Sequence, residues 1–208
     1  MYAMYKKLFV LMLIFSLFAF KTETLVLKIG KKAPNTSKKM KDVSGKEFSL
    51  DDIKGTKGTI VVFSCNTCPF VVGNDDFGGW EKQYNDLYGF AKNSGFGMVL
   101  INSNAAKRDE DDSWQKMKDH SDKQNYKMKY LMDNDSELAD AFGAKTTPHV
   151  YLLDQDMKLV YQGAIDNSYN NKAEQIPYLR NAISYLIKGQ KITTNTIAPV
   201  GCSIKRVK

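Results

Sequence analysis

A β-branched and aromatic run, Ile60-Val61-Val62-Phe63, ends at Ser64 and passes directly into Cys65-Asn66-Thr67-Cys68. Four such residues in succession leave no polar side for solvent, so the run predicts a strand buried on both faces. Beyond the cysteines, Phe77, Trp80, Tyr84, Leu87 and Ala91 recur at three- and four-residue intervals, which predicts one apolar helix face ending near Gly95. Met98-Val99-Leu100-Ile101 predicts a second buried strand. Strand, helix and strand in this order require parallel pairing through a right-handed crossover. The cysteines therefore fall where a sheet strand turns into a helix.

That position carries chemistry. Exposed N–H groups at a helix N-terminus favour a thiolate, and a cysteine there has its pKa lowered from about 8.5 to roughly 3.5–7.5. Cys65 is expected to attack a disulfide, and Cys68, one turn on, to resolve the mixed disulfide. Half of a zinc site has the same spacing. The other candidate ligands, Cys202, His120 and His149, do not form a second ligand pair. A copper chaperone would use a cysteine spacing one residue longer, so neither a metal nor an organic cofactor is expected.

The second motif is Thr147-Pro148, which opens a strand after a short helix packing Leu138 and Phe142. An ordinary strand-start proline has the same appearance. Together with the cysteine pair we expect a cis-proline facing the CxxC, with the Thr147 backbone free to pair with a substrate chain.

Elsewhere the pattern predicts one α/β domain, a central mixed sheet flanked by helices. Residues 21–47 read as a Lys-rich exposed lead-in, and Phe48 and Leu50 as an edge strand or the start of a turn. The acids from Asp109 to Asp112 read as a solvated start to a helix carrying Trp114 and Met117. A short strand is expected over Tyr130–Met132, and Asp135 or Ser136 is expected to cap the helix that follows. Val150–Leu153 and Leu159–Tyr161 predict an antiparallel hairpin. A last helix, buried through Leu179, Ile183 and Leu186, should begin near Pro177 and stop at Gly189.

Composition narrows the function classes. The net charge of +7 is spread as single and paired lysines. A nucleic-acid surface concentrates its basic residues and interleaves aromatics, so no nucleic-acid partner is expected. Lys6 and Lys7 precede an apolar run, Leu8–Phe20, too short to span a bilayer comfortably and suited to a signal peptide. The expected division is a signal peptide over 1–20, with an uncleaved membrane tether as the alternative. A lead-in over 21–29, a domain over 30–190 and an irregular tail over 191–208 follow. The expected location is extracytoplasmic, periplasmic or secreted.

Taken together, Cys65-x-x-Cys68 after a buried strand and Thr147-Pro148 before the terminal hairpin and helix resemble the thioredoxin superfamily. Cys65-Asn66-Thr67-Cys68-Pro69-Phe70-Val71, Ile101-Asn102-Ser103-Asn104 and Gly201-Cys202-Ser203-Ile204-Lys205 are similar to a thioredoxin-like branch of the AhpC/TSA redoxins. The resemblance covers about residues 30 to 208. It implies a thioredoxin-like fold with an inserted strand–helix unit between the CxxC and the proline loop, and a redox-active Cys65/Cys68 pair. It also implies protein or small-molecule disulfides as substrates, a partner dithiol, and a place in redox homeostasis. Members often carry histidine where Thr67 stands, which removes one stabiliser of a Cys65 thiolate. The aromatic residue that thioredoxins place before the first cysteine is Ser64 here. Thr59 replaces their buried acid, and Pro69 should make the helix start irregular. Within the superfamily the rival is a thiol peroxidase, which places a threonine three residues before its cysteine, a proline further upstream and an arginine distant in the sequence. Cys65 occupies that place before Cys68, and Arg108, Arg180 and Arg206 give no arginine assignment. A non-catalytic binding module is the other alternative. Cys202 reads as a small residue packed in a docked tail or as a third thiol pairing with Cys65 or another chain.

Overall fold

The computed structural model describes residues 26–169 and 174–207. The signal segment expected over 1–20, and the lead-in up to residue 25, lie outside the described residues. The chain opens with β1 (Met40–Asp42), β2 (Glu47–Phe48) and the single turn α1 (Leu50–Ile53). Then come β3 (Gly58–Ser64), α2 (Pro69–Val72), α3 (Tyr84–Asn93) and β4 (Phe96–Asn102). They lead to α4 (Trp114–Gln124), β5 (Lys129–Met132), α5 (Glu137–Phe142) and β6 (Thr146–Thr147). The described chain closes with β7 (His149–Asp154), β8 (Leu159–Gly163), α6 (Tyr178–Ile187) and β9 (Cys202–Ser203).

Seven strands form one mixed sheet in the order β2-β1-β5-β4-β3-β7-β8. β3, β4 and β5 run parallel, and β1, β7 and β8 pair antiparallel with their neighbours. Strand alternation divides the core in two. Ile60 and Val62 of β3 face α3 and α6, meeting Leu87, Leu179 and Ile183. Val61 and Phe63 face the other way, onto Leu50, Leu138 and Phe142 of α1 and α5. The helix α4 and strand β5 supply the inserted unit between the cysteines and Pro148. This is a thioredoxin-like architecture.

Several elements depart from the sequence expectation. The long helix from Phe77 is broken, because α2 ends after one turn at Gly73, with φ 98°, and α3 starts only at Tyr84. Gly79, with φ 73°, lies so close to α2 that a Cβ there would stand 2.4 Å from the Val71 carbonyl oxygen. Phe77 and Trp80 still reach the core, but from a loop held by Asn74 Oδ1, which accepts the Asp76 and Phe77 N–H groups. The lead-in is not wholly exposed: Leu27, Ala33 and Met40 are buried, and β1 is an interior strand of the sheet. Leu50 begins α1 rather than a strand, because Ser49 and Asp52 form a reciprocal capping box ahead of it. Ser136 takes the N-cap position of α5, as expected, but its side chain makes no cap bond; Asp133 instead accepts the Leu138 and Ala139 N–H groups. Pro69 makes no irregularity, because it occupies the first helical position, where its missing N–H is not needed.

Candidate functional site

Both cysteines lie past the end of β3, in the loop that closes at α2. Cys65 is 2% and Cys68 4% exposed, and both are free thiols. Cys68 is the N-cap of the one-turn helix, so Cys65 is farther from a helix start than its place in the sequence implies.

Thr147 joins the two sulfurs. Its hydroxyl lies 3.1 Å from Cys65 Sγ, and its carbonyl oxygen accepts a hydrogen bond from the Cys68 thiol at 3.1 Å. The Thr147–Pro148 peptide is cis, as expected. The Thr147 backbone is not free, however. β6 pairs antiparallel with β9, setting Thr146 against Ser203 and Thr147 against Cys202. The strand edge expected to take a substrate chain is occupied by the protein's own tail. Cys202 reaches Cys68 rather than Cys65: its N–H lies 3.4 Å from Cys68 Sγ.

The thiols ionise together. The hydrogen bond to Cys68, then burial, then the charges of Cys68 and Asp112 push the Cys65 thiol well above its ordinary value, against the Thr147 hydroxyl. Cys68 is lowered to about 5, first because Cys65 donates to it, with the Cys202 thiol and N–H adding to the effect against burial. Ionisation forfeits the Cys68 bond to the Thr147 carbonyl, so the thiolate depends on donors from Cys65, Cys202 and the Thr147 side chain. Cys68, at the N-cap with the Cys202 N–H on its sulfur, is the better placed of the two to carry negative charge, whereas the sequence reading expects it on Cys65. The helix start lies three residues later than that reading assumed.

A polar network the sequence reading missed supports this loop. Asp112, read as part of a solvated acidic run, is 1% exposed. Its Oδ1 accepts the Asn66 N–H at 3.1 Å and Asn102 Nδ2 at 2.6 Å, and its Oδ2 accepts Asn104 Nδ2 at 2.8 Å. Tyr130 donates to Asn66 Oδ1 at 2.9 Å. Arg108 closes the network by donating to Asn102 Oδ1 and to the carbonyls of Asn102, Asp112 and Asp133. The one available signal was Asn102-Ser103-Asn104 directly after a buried strand, whose amides need a buried acceptor. Thr59, at the position of the missing acid, is turned toward Met157 and takes no part.

A cleft of 130 Å³ opens onto Cys65, Cys68, Thr147 and Cys202, with Lys107 and Lys205 at its wall. None of the three arginines lines it. Arg180 pairs with Asp86, and Arg206 with Asp140. His149 is buried on Tyr151, and burial followed by the Lys145 charge lowers its pKa to about 4. His120 hydrogen-bonds Glu81 at 2.6 Å, so neither histidine joins the cysteines. Among the described residues no three His, Cys, Asp or Glu side chains are grouped to hold a metal ion, and no helix is long and apolar enough to cross a membrane.

Comparison with known proteins adds the wider context. The Redoxin family model matches residues 28–176. An uncharacterized conserved protein of Geobacillus kaustophilus is 31% identical with a TM-score of 0.76, covering 88% of this chain and 94% of its own. A hypothetical protein of Sinorhizobium meliloti 1021 is 26% identical with a TM-score of 0.75, covering 87% of this chain and 96% of its own. A protein of Chlorobium tepidum described as a thiol:disulfide interchange protein shares the fold at 17% identity, with a TM-score of 0.55 over 77% of this chain and 99% of its own. No curated protein matches the chain.

Proposed function

The chain belongs to the Redoxin family, and we propose that the Cys65/Cys68 pair makes it a thiol–disulfide oxidoreductase acting on protein or small-molecule disulfides. One observation carries this reading: a single residue, Thr147, hydrogen-bonds both sulfurs of a free CxxC pair, through its hydroxyl and through its carbonyl oxygen. Two thiols held by a common partner are placed to react with each other and with a third sulfur entering the cleft.

In this reading the Cys68 thiolate attacks a substrate disulfide R–S–S–R. A Cys68–S–S–R bond forms, the substrate S–S bond breaks, and one thiolate leaves. Cys65 then attacks Cys68, releasing the second substrate thiolate, and the proton Cys65 surrenders goes to a leaving thiolate. Two electrons pass from the protein dithiol to the substrate, and a partner dithiol restores the reduced pair. Run backwards, the same steps oxidise a client. The cysteine roles are thereby the reverse of the sequence expectation, on the ground that Cys68 stands at the helix N-cap with the Cys202 N–H on its sulfur, while Cys65 has the Thr147 hydroxyl. The apolar run Leu8–Phe20 after Lys6 and Lys7 supports an extracytoplasmic setting for this chemistry.

The decisive experiment titrates the pair in glutathione buffers and counts alkylated thiols by mass spectrometry. The expected result is a reversible two-electron transition that joins Cys65 to Cys68 within one peptide and is lost in Cys68→Ser. Should the two thiols stay separately reduced across the whole range of potentials, the oxidoreductase reading is wrong.

A further inference from the structure

Cys202 is held against the reactive pair by more than its own two-residue strand. Ile204 is buried in the core, and its N–H donates to the Lys145 carbonyl at 2.9 Å. The Lys205 N–H donates to Asn104 Oδ1, while its carbonyl accepts the Ala106 N–H, both at 2.9 Å. On the other side, a Cβ on Gly201 would stand 2.2 Å from the Thr147 carbonyl oxygen, so the tail touches the loop that carries Pro148. Asn104, which receives the tail, also holds Asp112 of the network beneath Cys65. The third sulfur is thus built into the same polar frame as the first two, and the Cys202 N–H sits 3.4 Å from Cys68 Sγ.

We propose that Cys202 is a third catalytic thiol, the in-cis exchange partner of Cys68, so that Cys68 forms its disulfide with either Cys65 or Cys202. This rests on the oxidoreductase reading above. Starting from a Cys65–Cys68 disulfide, the Cys202 thiolate attacks Cys68. The Cys68–Cys202 bond forms, the Cys65–Cys68 bond breaks, and Cys65 leaves as a thiolate that takes up the proton Cys202 gave away. No electrons enter or leave the protein in this step, and the original oxidant remains the substrate disulfide. The exchange carries the disulfide from the innermost of the three sulfurs to the half-buried tail. There the tail occupies the strand edge beside Thr147 that an incoming chain would otherwise use.

The test uses the full chain equilibrated in glutathione buffers, alkylated at free thiols, cut with trypsin and weighed. Trypsin leaves Cys65 and Cys68 together in the peptide 58–82 and Cys202 in 192–205, so a bond between them links two peptides. The expected result is a linked pair in the wild type that persists in Cys65→Ser and vanishes in Cys68→Ser and Cys202→Ser. If the wild type forms a disulfide within 58–82, but neither it nor Cys65→Ser ever shows the link, Cys202 is only a packing residue and the oxidoreductase reading stands. A link that survives Cys68→Ser and is lost in Cys65→Ser assigns the partner to Cys65 and overturns the proposal. Absence of every intramolecular disulfide in the wild type sinks both readings together. Should a variant fail to fold, fragmentation of the linked wild-type peptides shows which of Cys65 and Cys68 carries the alkyl label and which the bond to Cys202, and that assignment decides the matter.

Discussion

Asp112 takes three N–H donors on two oxygens and lies beneath a loop that offers Cys65 a single hydroxyl donor. Its charge favours the thiol over the thiolate at Cys65, while its hydrogen bonds fix the backbone of Asn66 between the cysteines. Asp112→Asn replaces an acceptor by an amide whose N–H₂ must point at another donor, and it removes the carboxylate whose charge acts most strongly on the half-buried Arg108 guanidinium. Loss of a buried charge-assisted hydrogen bond costs about 2–3 kcal/mol, so urea unfolding should shift by that amount. In the same variant the alkylation of Cys65 should begin at lower pH, because the repelling carboxylate is gone. An unchanged pH profile with the stability loss intact would reduce Asp112 to a structural role. The sequence hid this residue because three of its neighbours, Asp109, Glu110 and Asp111, read as solvent-facing. Only the fold shows that a turn folds the fourth acid inward.

At the scale of elements, legibility follows length and burial. β3, β4, the β7–β8 hairpin and α6 each carry a run of apolar residues at a strand or helix period, and each was readable within a residue or two. β1 has three residues and buries the acid Asp42 along with Met40, so it showed neither alternation nor an apolar run. β9 has two residues, and its partner strand lies more than fifty positions upstream, so no local pattern announces it. Its one sequence trace is Gly201, which permits contact with the Thr147 carbonyl. Gly201→Ala should therefore lift the tail from the Pro148 loop, since backbone at 2.2 Å cannot yield as a flexible side chain does. The expected outcome is several-fold faster alkylation of Cys68 by iodoacetamide, with thermal unfolding of the seven-stranded core little changed. Equal alkylation rates in the variant and the wild type would mean that β9 does not shield the thiol.

The whole molecule is two apolar layers on one sheet, and its second layer carries a titrating group with consequences for overall stability. His149, on β7, stacks on Tyr151 with ring centroids 4.6 Å apart, and Tyr151 packs edge-on against both Phe63 and Phe142. Burial in that aromatic layer, with Lys145 nearby, holds the pKa of His149 near 4 instead of 6.5. The unfolded chain therefore binds a proton at this residue more readily than the folded one does. Stability from this group is complete above pH 6.5 and is lost progressively as the pH falls toward 4, where the loss reaches the order of 3 kcal/mol. Against a total of about 5–15 kcal/mol for a typical domain, that is a substantial fraction. Carboxylates titrate in the same interval, so the informative quantity is a difference between proteins. His149→Phe keeps a ring on Tyr151 and cannot take a proton. Urea midpoints measured every half unit from pH 7 to 4 should fall less steeply in the variant, and the two curves should diverge mainly below pH 6.5. Parallel curves would mean that His149 is protonated in the folded state as easily as in the unfolded one, and that the layer around Phe63 and Tyr151 admits water.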